Sequence, residues 1–561
     1  MEAVWKKSYP AGVNFEIDLT AYNNILDVYR EGVRKFDDLP AFTNMGTDLS
    51  FHDLDRLSRN FAAYLQKDLG LKKGDRIALQ MPNLLQFPVA LFGAFRAGLI
   101  VTNVNPLYTE REMAHQLNDS GAETIVIVAN FASKLADIIG ETKIQNVIVT
   151  ELGDLLSFPK SLLVNSVVKY LKKMVPAYEL PGAVKFNHAL ALGSNHDLQE
   201  PKITLEDTAF LQYTGGTTGV AKGAELTHKN IVANMLQIRE WLKPVLKEGK
   251  EIIIAPLPLY HIFSLTVNCL AFFSYGARNV LITNPRDIPG FVKELKNFRY
   301  TAMVGLNTLY NALLNNEDFR KLDFSPLKIS VAGGMALQRA VSERWHQVTG
   351  SKIAEGYGLT ESSPVLCVNP VDGTDQAGTI GIPVPSTDIK IMKEDGTEAG
   401  FHEAGELWAK GPQIMKGYWN RPEETAKTLT EDGWLKTGDI AEIKEDGFLQ
   451  IVDRKKDMIL VSGFNVYPNE LEDVVASHEK VLEVAAIGVP DKDSGEVPKL
   501  FIVKKAESLT EEEIMAYCRE QLTGYKRPKH IEFVDELPKS NVGKILRKDL
   551  RAMEEKRSAA V

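Results

Sequence analysis

The sequence predicts an α/β fold with three parts: a large N-terminal domain of layered α/β subdomains, a β-rich subdomain, and a small α+β C-terminal domain. Three observations carry this. At 561 residues the chain exceeds what one hydrophobic core supports. Short β-branched runs alternate with amphipathic stretches over most of its length, the pattern of parallel strands covered by helices. After about residue 378 the texture changes to polar–apolar alternation broken by "DG" turns, which signals antiparallel hairpins.

The elements follow in order. "DRIALQM" reads as a strand before the helical "LLQFPVALFGAFRAG"; "ETIVIVAN" precedes "FASKLADIIG", "NVLITN" precedes "GFVKELKNF", and "KISVAGG" precedes "ALQRAVSERWHQVTG". "DIKIMKEDGTEA", "GELWAKG" and "AEIKEDGFLQIVDRK" make the β-rich part. "EVAAIGVPD", "KLFIVKK", the helical "TEEEIMAYCREQL" and "HIEFVDELP" make the last unit, and the tail "EEKRSAAV" is expected to be disordered. The boundary is placed between residues 453 and 454, giving domains 1–453 and 454–561.

Composition narrows the class. Apolar content of 44% and charged content of 25% are those of an ordinary soluble globular protein. A net charge of −9 disfavours nucleic acid as a partner. Cys269, Cys367 and Cys518 lie far apart without metal-ligand spacing, so they read as reduced and structural, as in a cytosolic enzyme. The N-terminus carries charges and a proline where a signal peptide needs an apolar run, so export is not expected. The uncharged run "IIIAPLPLYHIFSLTVNCLAFFSYGA", 252–277, could cross a bilayer by length. Its early prolines and interior polar residues fit a strand, a turn and a buried helix better.

"YTGGTTGVAKG", Tyr213 to Gly223, follows the apolar "TAFLQ". Glycines let backbone N–H groups converge on an anion, and threonine hydroxyls add donors at the rim. Lys222 follows Ala221 and precedes Gly223, so the familiar phosphate-loop order is absent, yet a polyphosphate remains the best occupant.

That loop is followed, in order, by "PLYHIF", "EGYGLTE", "KTGDI", "DRKKDMI", "SGFNVYPNE" and "LPKSNVGKIL". Together they resemble the motifs of the acyl-adenylate-forming enzymes, which include acyl-CoA synthetases, luciferases and peptide-synthetase adenylation domains. "DGWLKTGDIAEIKEDGFLQIVDRKK" is similar to the signature region of fatty-acyl-CoA synthetases. The likeness runs from about residue 25 to residue 550.

The resemblance implies ATP-dependent activation of a long-chain fatty acid to acyl-AMP, then transfer to CoA, feeding β-oxidation. The alternatives are a medium-chain or aryl acyl-CoA ligase, or an acyl-AMP ligase that loads a carrier protein. It implies Mg²⁺ with ATP, CoA as cosubstrate and a mobile C-terminal domain. A homodimer in the cytoplasm, partly peripheral on the cytoplasmic face of the inner membrane, is expected with it.

The implied residues are specific. Tyr213, Thr214, Gly215, Gly216, Thr217, Thr218, Gly219, Val220, Ala221, Lys222, Gly223 and Ala224 would hold phosphates, with Thr214 and Glu361 at the metal. Gly333 and Gly334, with Glu355, Gly356, Tyr357, Gly358, Leu359 and Thr360, would wall the adenine and ribose phosphate. Asp439 would accept from the ribose hydroxyls, and Arg454 would be a second contact to the ribose or to a phosphate. Lys544 would bridge the attacking carboxylate and the α-phosphate, cancelling their repulsion. His261 and Phe263 would lie near the acyl entrance, and Gly463 would leave room for the pantetheine arm. Asp453–Arg454 would be the pivot that exchanges these two faces.

Overall fold

The computed structural model of the chain describes residues 3–214, 221–462, 464–492, 494–540 and 543–558. Among them are four sheets. In a nine-stranded sheet, Ile252–Ala255, Arg278–Leu281, Ala302–Gly305, Ile329–Ala332 and Ile353–Gly358 pair in parallel. In an eight-stranded sheet, Arg76–Gln80, Ile100–Asn103, Thr124–Val128 and Asn146–Thr150 do the same. Strands buried on both faces need continuous apolar runs, and all five residues of Thr124–Val128 are buried. Helices Gln86–Arg96, Ala132–Ile138, Ile288–Leu295 and Arg339–Thr349 lie where the 3.6-residue pattern predicts them.

The change of texture begins slightly earlier than residue 378. Val365–Val368 already pairs antiparallel with Ile353–Gly358. Beyond it, Asp388–Met392, Gly405–Lys410, Leu435–Ile443 and Leu449–Arg454 form a four-stranded antiparallel sheet. The small C-terminal domain pairs Val481–Asp491 with Gly495–Lys504 and adds His530–Phe533 parallel to the latter. Its two apolar clusters are built from residues at or beyond Ile459, whereas the clusters of the large domain reach no further than Ile451.

The uncharged run 252–277 is a strand, a turn and a buried helical stretch, Ile262–Ser264 continuing with π-type winding through Leu265–Phe272. Among the described residues no helix is long and apolar enough to cross a membrane. One expectation fails. Residues 554–558 of the tail are not disordered but belong to helix Arg547–Ser558. Charge holds that helix where apolar residues are few: Glu554 accepts from Lys499 at 2.6 Å, and Arg557 pairs with Glu532 at 2.7 Å.

Candidate active site

The predicted residues gather at the carboxyl ends of the central strands, where open α/β sheets leave a crevice. Thr214 ends strand Thr208–Thr214, and the glycine-rich connection leads into Lys222–Thr227, which returns antiparallel with Thr214 opposite Lys222. Gly215, Gly216, Thr217, Thr218, Gly219 and Val220 lie outside the described residues, as does Gly463. The hairpin is held from outside: Tyr213 donates to Asp119 at 2.7 Å, and Arg421 grips the other oxygen of Asp119 at 2.6 Å. A β-carbon on Gly223 would stand 3.0 Å from the Tyr213 ring, so a side chain there would have to displace that ring by a few tenths of an ångström. Ala221 gives its carbonyl to His115 at 3.0 Å, and Ala224 pairs with Tyr418.

Two charged groups of side chains face the crevice. In the first, Tyr418 donates to Glu361 at 2.6 Å, and Lys222 lies 5.0 Å over the Tyr418 ring while pairing with Glu424 at 2.5 Å. In the second, Tyr357 donates to Asp439 at 2.6 Å, and Arg454, opposite Asp439 in the ladder, lies 3.4 Å from the same carboxylate. A cavity of about 380 Å³ opens on the first group, lined by Leu359, Glu361, Tyr418, Thr437 and Gly438 among others. Asp439 and Arg454 thus satisfy one another here, and Asp439 is buried.

The wall residues split by role. Gly333 and Gly334 follow strand Ile329–Ala332; a β-carbon on Gly333 would press on the Phe263 ring at 3.2 Å, and Gly334 has a φ of 79°. A β-carbon on Gly358 would collide with the Pro364 carbonyl at 1.9 Å. Gly356 has more room, with its nearest neighbour 3.6 Å from a built β-carbon. Thr360 and Glu361 start a single turn, Thr360–Ser362, that packs on both strands of the hairpin. Glu355 ties this wall to the next: it accepts the Leu337 N–H at 3.1 Å, and burial pushes its carboxyl up to about 8.

Lys544 completes the site from the C-terminal domain. It is half-buried, and burial together with the charges of Arg454, Arg547 and Lys456 pulls its ammonium down to about 7, against the opposing pull of Asp439. Its loop is fastened to the large domain by Thr308, whose hydroxyl donates to the Gly543 carbonyl at 3.1 Å. His261 is close enough to feel that lysine: burial first, then Lys544, pulls its imidazole down to about 4, so it is neutral at pH 7. Behind the site, Asp453 is fully buried, accepts the Asn469 N–H at 2.9 Å and lies 3.3 Å from Arg547, which also holds Glu472 at 2.8 Å.

Motif reading missed Tyr418, Glu424, Asp119 and Arg421, which reach the hairpin from a short strand, two helices and the turn between Tyr418 and Pro422. "GYW" beside the hairpin was the available signal for Tyr418. The donor set also fits the expected metal. Among the described residues no group of three or more acidic, His or Cys side chains could hold a metal ion by itself. A half-buried carboxylate on a cavity, Glu361, with the Thr214 hydroxyl on the facing hairpin, suits Mg²⁺, which keeps waters and takes phosphate oxygens for most of its shell.

The sequence matches the profile of AMP-binding enzymes over residues 29–419 and that of their C-terminal domain over 470–544. It is 58% identical to a long-chain-fatty-acid–CoA ligase of Yersinia pestis, covering 99% of each chain. It is 38% identical to a Bacillus subtilis protein of the same name, with 97% of each covered. The crystal structure of an anthranilate–CoA ligase with anthranoyl-AMP superposes with a TM-score of 0.86 at 26% identity, covering 97% of this chain and 99% of that one.

Proposed function

The chain belongs to the AMP-binding enzyme family, and on that premise we propose that it is an ATP-dependent long-chain-fatty-acid–CoA ligase. The observation that carries this is the 58% identity, over 99% of both chains, to a relative of that name. In the first step a carboxylate oxygen of the fatty acid attacks the α-phosphorus of ATP. The Pα–O–Pβ bond breaks and pyrophosphate leaves. In the second, the CoA sulfur attacks the acyl carbonyl, the bond to the phosphate oxygen breaks, and AMP leaves.

The first step joins two anions, so the residues must supply positive charge and alignment. Lys544 provides an ammonium that can touch both the carboxylate and the α-phosphate. Arg454 and Asp439 take the ribose, exchanging their mutual pairing for the nucleotide. Tyr357 offers its face to the base between glycines that admit close approach. The hairpin from Tyr213 to Ala224 takes the phosphates, with Lys222 on the pyrophosphate side. Glu361 and Thr214 would hold Mg²⁺, which would supply positive charge against the phosphates. His261, kept neutral, lines the acyl side without a charge that a greasy chain would have to desolvate.

Lys544 and CoA need the same carbonyl from the same side. The C-terminal domain therefore turns about Asp453–Arg454, withdrawing Lys544 and bringing up the segment around Gly463. This fits the separate cores of the two domains and a boundary at 453/454. The reading includes peripheral attachment to the cytoplasmic face of the inner membrane, where fatty acids partition, and a homodimer checked by light scattering.

The test is to incubate the protein with palmitate, ATP, Mg²⁺ and CoA and to separate AMP and palmitoyl-CoA. Formation of both supports the assignment; a preference for aryl or medium-chain acids overturns the chain-length part. Lys544→Ala should block acyl-AMP formation yet convert supplied acyl-AMP and CoA to thioester, and Gly463→Leu should do the reverse. Equal damage to both half-reactions in folded variants would refute the alternation.

A further inference from the structure

Large apolar side chains are conspicuously exposed in one place. Of the fourteen exposed large apolar residues described, six fall between Phe158 and Met174: Phe158, Leu162, Leu163, Tyr170, Leu171 and Met174. The other eight are spread along the chain, and only Phe464 and Tyr525 among them stack on one another. Three of the six are more than two-thirds open: Phe158 at 80%, Leu171 at 77% and Tyr170 at 71%. The segment is helical from Lys160–Ser166 through Val167–Leu171 and hangs on the connection between strands Asn146–Thr150 and Val184–Lys185.

One side of this helix is fixed to the body. Val164 packs on the main core, Asn165 accepts the Gly153 N–H at 2.7 Å, and its amide donates to Asp154 at 3.1 Å. Gly153 is what permits that approach, since a β-carbon there would lie 2.7 Å from the Ser161 carbonyl. The far end is held by Asn130, which donates to the Met174 carbonyl at 3.0 Å. The exposed side chains are therefore presented by an anchored element.

Charge selects the occupant. Between Asp154 and Glu179 there is no acidic residue, while Lys160, Lys169, Lys172 and Lys173 fall in the same stretch of a chain whose net charge is −9. Lys160 is engaged by the Met45 carbonyl, and the other three are exposed. A second copy would set lysine against lysine. Side chains that stand this far out also make no groove for a rigid partner; they suit a fluid phase that closes around them. Apolar side chains rimmed by lysines on a helix lying flat on the surface are what an interfacial helix needs at a bilayer of anionic lipid.

We propose that the helical segment 158–174 is a membrane-docking surface that inserts Phe158, Leu163, Tyr170 and Leu171 into an anionic phospholipid bilayer while Lys169, Lys172 and Lys173 meet its headgroups. This deepens the peripheral attachment suggested above. It is tested without substrate, so its outcome does not depend on the ligase chemistry.

The experiment is flotation of the full-length protein with vesicles of phosphatidylglycerol and phosphatidylethanolamine, against vesicles of phosphatidylcholine. The wild type should float with the anionic vesicles, and its partition should fall on the order of tenfold or more as salt is raised from about 0.05 to about 0.5 M. Leu163→Ser/Leu171→Ser should lower that partition at least about tenfold, because two buried leucines are withdrawn from the lipid. Lys169→Gln/Lys172→Gln/Lys173→Gln should remove most of the salt dependence. A leucine variant that keeps its melting temperature and floats like the wild type overturns the proposal, as does a wild type that stays with the unbound fraction. So does a wild-type dimer in light scattering that the leucine variant dissolves without any vesicle binding, which would make the surface a self-interface. Normal flotation with no acyl-CoA formed would leave this surface standing and sink the ligase assignment.

Discussion

Adenylation by this chain should carry a falling pH limb set by Lys544. Its ammonium titrates near 7 rather than the ordinary 10.5, through burial first and then through Arg454, Arg547 and Lys456. A difference of that size corresponds to roughly 5 kcal/mol against the charged form. The sign follows from the chemistry. The first step needs the ammonium, which is fully present below the depressed value and is lost about tenfold per pH unit above it. In the free enzyme, kcat/KM for pyrophosphate exchange should therefore fall as pH rises through about 7. In kcat the limb should move upward, because bound phosphates favour the cation. Lys456→Gln should shift the kcat/KM limb upward too, since it removes one repelling charge. Two controls separate Lys544 from other titrations. Glu355, raised to about 8 by burial, is removed by Glu355→Gln, which should keep the limb. Lys544→Arg holds its charge at all these pH values, so whatever rate survives should lack the limb. A limb near 7 that persists unchanged in Lys544→Arg would refute the reasoning and point to the nucleotide's own ionisation.

Three further outcomes are expected. Glu361→Ala should lower pyrophosphate exchange by about a hundredfold or more at ordinary Mg²⁺, the scale of losing a preorganised charge clamp; near-normal exchange would remove Glu361 from the metal. Replacing Cys269, Cys367 and Cys518 together by Ala should cost a few kcal/mol in urea unfolding without abolishing turnover, since all three are buried, free thiols. Complete loss of turnover in folded protein would give one of them a role. Arg547→Ala should destabilise the C-terminal domain by roughly 3–5 kcal/mol, because Asp453, Asp457 and Glu472 would lose their shared buried cation. Differential scanning calorimetry showing an unchanged C-terminal transition would contradict that.

The sheets were legible because their signal is local. "TIVIV" must be buried on both faces wherever it sits, and "GELWAK" alternates in burial as it alternates in polarity. The glycines of the wall were legible mainly through the family resemblance; at Gly358 the physical reason is a β-carbon's collision with the Pro364 carbonyl at 1.9 Å. Residues that act through partners far along the chain were not. Tyr418 meets Glu361 across 57 positions and Lys222 meets Glu424 across 202, and no periodicity reports such pairs. The state of Lys544 was hidden too, since a lysine's charge depends on what surrounds it. The tail was misread because its helix has so few apolar residues; the ion pairs that fix it are tertiary.

The proposed parting of the domains has a physical basis in the contacts between them. Away from the pivot, where Asp453 keeps Arg547 and Asn469 and Asp439 pairs with Arg454, the contacts that hold the C-terminal domain over the site include three hydrogen bonds: Thr308 to Gly543 at 3.1 Å, Asn311 to the Leu482 carbonyl at 3.1 Å, and the Arg339 N–H to Asp473 at 3.1 Å. None of the apolar clusters bridges the domains. Each such hydrogen bond exchanges for one with water at a net of about 1 kcal/mol, so the closed arrangement has little to lose on opening. Against that small gain stands the crowding of Lys544 with Arg454, Lys456 and Arg547. On the proposed reading an anionic nucleotide would reverse the balance, because its phosphates would lie among those cations and favour Lys544 in its charged form. Once pyrophosphate leaves, much of that negative charge leaves with it, and the same repulsion favours withdrawal of the lysine. In the proposed alternation the electrostatics of the crevice would set the order of the two half-reactions: charge arriving would close the site, and charge departing would open it for the thiol.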